Sequence, residues 1–265
     1  MEMFGYFAAI VMGVTLGLLG GGGSILTVPI LVYLFHVSAT DASAYSLFVV
    51  GATALAGAAS YGYRHLVDWK TGTIFAIPSL IGAYSARRWL VPMLPDPIFQ
   101  NGNVVITKDI LILVAFALLM VLAALSMIRP RRLSPDHAHP MNSAYRWFLT
   151  MVEGLGVGLV TGFVGAGGGF LVIPALVVLG NLPMRLAVGT SLFVIALKSL
   201  TGFIGDVESQ LVINWQLLIP FTLLAFIGNF VGVQTSRYLP ETGLKKAFGW
   251  FVLFMGIWII YKELL

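Results

Sequence analysis

The sequence predicts an all-α integral membrane protein made of two homologous, inverted halves. Each half should hold a Gly/Pro-broken or re-entrant helix plus three full transmembrane helices. Three observations lead there. The chain of 265 residues is 58% hydrophobic and 10% charged, with a mean hydropathy of +0.94, more apolar surface than a soluble core can hide. One glycine-rich motif occurs twice, as GLLGGGGSILTVP at Gly17–Pro29 and GFVGAGGGFLVIP at Gly162–Pro174. The offset of 145 residues then holds without a gap to SLFV, at Ser46–Val49 and Ser191–Val194. Finally, equivalent loops of the two halves carry opposite charge bias.

Residues 3–35 are almost wholly apolar. As one helix they would run about 50 Å, too long for a hydrocarbon core of about 30 Å. Gly20–Gly23 lie in the middle, where each glycine costs about 1 kcal/mol in a helix. The expectation is a helix to Leu19, a glycine turn, and a short helix near Pro29–Phe35. Pro29 fits the first turn of that helix, where its missing N–H costs nothing. Residues 147–180 repeat the pattern with Gly165–Gly169 and Pro174. Further spans are expected at Asp41–Tyr63, Thr71–Pro92, Ile110–Ile128, Leu186–Gly205, Trp215–Ser236 and Phe248–Ile260. Asp68 and Asn214, each followed by a tryptophan, read as helix caps beside an aromatic belt. The run IFQNGNVVIT, with Asn101–Gly102 between β-formers, reads as a hairpin. The boundaries are then 1–128 for the first repeat, 129–146 for a linker and 147–265 for the second repeat. The first residues carry Glu2 and no basic n-region, so they read as part of the fold and not as a signal peptide.

Loop charges set the orientation. The linker holds Arg129, Arg131, Arg132 and Arg146 and is placed in the cytoplasm. Arg64–Lys70 is basic, whereas its counterpart Asp206–Asn214 carries Asp206 and Glu208. Pro92–Lys108 has one lysine, whereas Arg237–Lys246 has Arg237, Lys245 and Lys246. Re-entrant hairpins and two spans per break both satisfy this reversal. A single kinked span per break gives parallel repeats and does not. Arg87 and Arg88 run against the pattern, falling on the outer side.

A duplicated, glycine- and proline-interrupted apolar segment points to the binding site of a secondary transporter. Irregular backbone at membrane depth must line a cavity or be covered by protein. Facing helix N-termini carry partial positive charge, and glycine lets an oxyanion approach the backbone. The candidate substrate contacts are therefore Gly20, Gly22, Gly23, Ser24 and Thr27 at the first break, and Gly165, Gly167, Gly168 and Gly169 at the second. The bland alternative is that these glycines serve only tight helix crossing. Ser46 and Ser191 occupy equivalent positions after the breaks, with Tyr45 and Thr190 beside them, and their hydroxyls suit a sulfonate or carboxylate. Helix–helix hydrogen bonding competes with that role. Lys198 lies deep in an apolar span, as an attractor for the anion or as a partner of Asp206 two turns on. Asp41 and Arg185, at span ends, read as interface anchors.

Other classes fall away. The absence of cysteine excludes disulfides, thiolate metal sites and thiol catalysis. His137 and His139 alone are a weak metal signal, and no cofactor is expected. Lacking a Walker motif, HExxH or GxSxG, the chain is read as neither an ATP-driven pump nor an enzyme. The net charge of +4 comes from short loops, which argues against nucleic acid. The expected partners are the lipid bilayer and a small sulfur-containing or other organic anion. A proton gradient is a candidate driver and a homodimer a candidate assembly.

The paired glycine signatures, with AVGTSLFVI at Ala187–Ile195, resemble the sulfite exporter TauE/SafE family of membrane permeases over nearly the whole chain. The resemblance implies a multi-pass inner-membrane protein that moves sulfite, sulfoacetate or related sulfonates. The matching positions are Gly20, Gly22, Gly23 and Pro29, then Gly165, Gly167, Gly168, Gly169 and Pro174, then Gly189, Thr190 and Ser191. Ala44–Tyr45 departs from the Gly189–Thr190 pattern of the second half. The resulting expectation is an exporter of small anions, working by alternating access around a midplane site between the breaks. A passive anion channel or a small-carboxylate permease of the same fold is the alternative, and a structural subunit of a larger complex stays open.

Overall fold

The computed structural model describes residues 2–95, 97–101, 104–128, 143–165, 169–178, 182–209, 212–236, 238 and 241–264. Helix α1 (Glu2–Leu19) ends at the residue where glycine begins, and the chain tightens into a 3-10 helix, Gly20–Leu26. Helix α2 (Thr27–Phe35) follows, with Pro29 in its first turn. The two helices run antiparallel: the Phe35 ring sits against Gly5 and lies edge-on to Tyr6 at 5.1 Å, while Gly23 abuts the backbone of Leu16. The broken element is thus a hairpin that returns to the end where it began. A left-handed His36 (φ 56°) closes α2. The Ser38 side chain, accepting from the Asp41 amide, then starts α3 (Ala39–Gly62).

Helix α4 (Trp69–Ser85) opens on the Asp68 cap and continues through a π turn, Ala86–Leu90, into α5 (Val91–Met93). Strands β1 (Phe99–Asn101) and β2 (Val104–Ile106) pair antiparallel, as the Asn-Gly run predicts. Next come α6 (Lys108–Ile128), α7 (Ser143–Val164), α8 (Gly169–Val178), α9 (Met184–Glu208), α10 (Trp215–Thr235) on its Asn214 cap, and α11 (Glu241–Leu264). Among the described residues, Ala39–Gly62, Trp147–Val164, Arg185–Glu208 and Trp215–Thr235 are each long and apolar enough to cross a membrane. Two helices outrun their expected spans. Helix α9 carries on to Glu208, so Asp206 and Glu208 are helical and not in a loop. Helix α11 begins at Glu241 because Leu244–Ala247 are good helix formers that a hydropathy window, which sees only the immersed part, passes over.

Packing partners exchange under the 145-residue offset. Helix α1 packs on α10 and its counterpart α7 on α4, while α3 packs on its own counterpart α9. On α1, Gly13 meets Ala225 and Asn229, and Gly17 meets Asn229 and Val233, so α1 and α10 run parallel. Gly154, Gly158 and Gly162 of α7 likewise meet Phe75, Ser79 and Ala83 of α4 in parallel register. Across α3 and α9, Gly51 meets Leu200 and Gly57 meets Leu192, so these two equivalent helices run in opposite directions. Glycines spaced by four let backbones touch, the small-residue packing that replaces hydrophobic drive in lipid. Gly17 and Gly162, which open the two motifs, serve this crossing.

The contrast within α7 is testable. A Cβ at Gly158 would overlap the Ser79 backbone, whereas nothing lies within 4 Å of one at Gly156. Gly158→Ala should cost about 1–3 kcal/mol of overpacking, and Gly156→Ala should leave the thermal midpoint in detergent unchanged or higher.

Candidate functional site

Gly20 begins the first break at φ +66°, a conformation that only glycine adopts freely. A Cβ there would stand 2.8 Å from Ser191 Oγ on α9. Its equivalent, Gly165, has φ +75° and lies against Ser43 on α3 and the guanidinium of Arg87. Each hairpin tip therefore presses on the other half's equivalent helix. The tips also touch: a side chain at Gly21 would overlap Gly169, and one at Gly169 would overlap Gly21. The space directly between these two glycines is closed.

The amide ends lie elsewhere than expected. The helix start near Pro29 is not open, because the Thr27 N–H donates to the Ser24 carbonyl of the 3-10 turn. The N-terminal end of the returning helix is the glycine run itself. Ser24 is buried and donates to the Gly21 carbonyl at 2.7 Å. Thr27 and Ser46 are buried with hydroxyls lacking a hydrogen-bond partner. Gly22 belongs to the 3-10 turn, and Gly23 packs on α1. Gly167 and Gly168 lie outside the described residues, as do His137 and His139.

Other hydroxyls are already engaged. Ser191 bonds back to the Val188 carbonyl at 2.8 Å. The Asp68 amide donates to Thr190 Oγ1 at 2.8 Å, and the Asn214 amide donates to the Tyr45 hydroxyl at 2.8 Å. Thr190 and Tyr45 are equivalent positions, and each holds the capping residue of a helix from the opposite half. Tyrosine replaces threonine without loss of that bond, which accounts for the departure at Ala44–Tyr45. Gly189 is needed where Ala44 suffices, because the Leu66 carbonyl sits where a Cβ would be.

The charges carry the main surprise. Lys198 is 1% exposed and donates to Thr161 Oγ1 at 3.0 Å. It does not pair with Asp206, whose carboxylate lies instead 3.5 Å from Arg87 Nη1. Arg87, read from loop charges as an outer-side misfit, is 1% exposed within the π turn. Its Nη1 donates to Ser43 Oγ at 2.9 Å. The guanidinium of Arg87, paired with Asp206, thus lies against Gly165. Gly20 instead meets the Ser191 hydroxyl and the side chains of Ile173 and Val188, while three residues earlier the Tyr61 hydroxyl donates to the Gly17 carbonyl at 3.2 Å. The signal for Arg87 was present in the sequence as its conflict with the charge rule. Asp206 was read as a loop charge or a partner of Lys198, since its span was expected to end one residue earlier.

A bundle of apolar helices with two glycine breaks now has a match. The sulfite exporter TauE/SafE family model covers residues 6–259. The chain belongs to that family. Members are membrane transporters and not enzymes, and this TauE/SafE protein is a multi-pass membrane protein. Among curated relatives, a "probable membrane transporter protein" of Xylella fastidiosa (strain 9a5c) is 30% identical over 95% of this chain and 92% of its own. The "probable membrane transporter protein YunE" of Bacillus subtilis is 27% identical over 96% of this chain and 95% of its own. No solved structure matches the chain.

The left-handed glycines make a direct prediction. Alanine at Gly165 meets both an unfavourable φ and the Arg87–Ser43 pair, so Gly165→Ala should destabilise by at least about 1–2 kcal/mol. Detergent melting should show that loss for Gly165→Ala and none for Gly156→Ala.

Proposed function

We propose that this TauE/SafE protein is a secondary transporter that exports small anions, sulfite or organosulfonates, through alternating access of two inverted halves. Its site lies near the bilayer midplane between the hairpin tips and is bordered by Gly20, Gly22, Gly23, Ser24, Thr27, Ser46, Gly165, Gly167, Gly168, Gly169, Thr190, Ser191 and Lys198. The observation that carries this reading is the meeting of the tips, with Gly20 and Gly165 both left-handed and each set on the opposite half's equivalent helix. The opposed directions of α3 and α9 support inversion. Tight contact of Gly21 with Gly169 suits an occluded state, in which neither side has access. The cargo class rests on the family's name and on the buried cations near the second tip. In a bacterial inner membrane with a negative interior, the potential favours anion export by about 2.3 kcal/mol per charge per 100 mV, and a proton gradient is the other available driver.

Counterflow in proteoliposomes tests the reading. Vesicles preloaded with sulfite should take up labelled sulfite transiently and saturably, which a passive channel cannot do. Gly22→Leu and Gly168→Leu should abolish that uptake while leaving membrane insertion intact. Undiminished uptake in both variants would reject the site.

A further inference from the structure

A guanidinium carries five N–H donors in one plane, and its Nε and Nη2 form an edge matched to two oxygens of one oxyanion. In Arg87, among the described residues, Nε and Nη2 are fully buried without a hydrogen-bond partner, whereas Nη1 serves both Ser43 and Asp206. One oxygen of Asp206, Oδ2, is likewise buried and unpartnered. The carboxylate therefore takes one end of the fork and leaves the two-donor edge free. Nη2 lies against the α-carbon region of Gly165, where any side chain would collide with it, so the open edge borders the second hairpin tip. The residue sits in a π turn, a winding that recurs at functional sites.

We propose that the free edge of Arg87 is the group that recognises the cargo, taking two oxygens of a sulfite, sulfonate or carboxylate head side-on, and that Asp206 is an internal anion competing for the same guanidinium. The proposal rests on the transporter reading and names its specificity-determining residue. Selectivity follows from geometry: a planar two-donor edge favours an anion with paired oxygens over a spherical halide of equal charge. Lysine cannot reproduce this, because its ammonium is a point charge. Asp206 offsets the charge of Arg87 between transport events and repels an incoming anion, so its removal should tighten binding.

The test uses the purified full-length protein in detergent, with its thermal midpoint followed against sodium sulfite, sodium methanesulfonate and sodium bromide at matched ionic strength. The chain has no cysteine and therefore no disulfide that sulfite could cleave. Wild type should be stabilised by sulfite and methanesulfonate over bromide. Arg87→Lys should weaken the oxyanions about tenfold or more and erase the preference over bromide. Asp206→Asn, nearly isosteric, should bind sulfite several-fold more tightly, and it decides the matter if Arg87→Lys does not fold. Sulfite affinity unchanged in Arg87→Lys, or unchanged or weakened in Asp206→Asn, overturns the proposal and leaves the transporter reading standing. A wild type that neither binds these oxyanions nor shows sulfite counterflow overturns both.

Discussion

Unpaired backbone in hydrocarbon costs several kcal/mol per group, so a chain that stops being helical inside a membrane must be sheathed by protein. Everything distinctive here follows from meeting that demand twice. The first interruption folds back as a hairpin through a 3-10 turn, both begin on a left-handed glycine, and each is pressed against the opposite half's long central helix. Glycine is required not as a flexible joint but because no Cβ fits. Gly21 and Gly169 meet backbone to backbone, and Gly165 leaves room for a guanidinium.

The duplication is close in backbone and loose in chemistry. Under the 145-residue offset, Asp206 answers to Tyr61, Lys198 to Thr53 and Ser43 to Val188. One left-handed glycine consequently abuts a buried guanidinium and the other a serine hydroxyl. Buried ion pairs recover their desolvation cost only with good geometry, and Arg87 and Asp206 each keep a polar atom without a partner. Such an arrangement is poor for stability alone. Within a membrane, ionisable groups retained at that expense mark function more often than scaffold.

Much of the fold was legible. The glycine run ended α1 at Leu19, the caps at Asp68 and Asn214 stand where expected, and the β-hairpin formed. These are local signals, read from residues within a turn of each other. The cross-half contacts were not legible. Thr190 matched a family signature and read as a cargo contact, yet its hydroxyl holds the Asp68 amide. Arg87 and Asp206 were counted as interfacial charges because charge counting assigns every ionisable residue near a span end to water. Their meeting depends on how α4 lies on α9, which has no signature in either segment. The exchange of partners that puts α1 on α10 and α4 on α7 is likewise invisible to any reading that treats each half as a unit.

That exchange has a consequence for how the protein comes into being. When α1 leaves the ribosome, the helix whose glycines receive it has yet to be made, and it must linger in lipid until α10 arrives. The amino-terminal half by itself lacks covers for α1 and α4, and a one-repeat chain would need a second polypeptide, found by diffusion, to supply them.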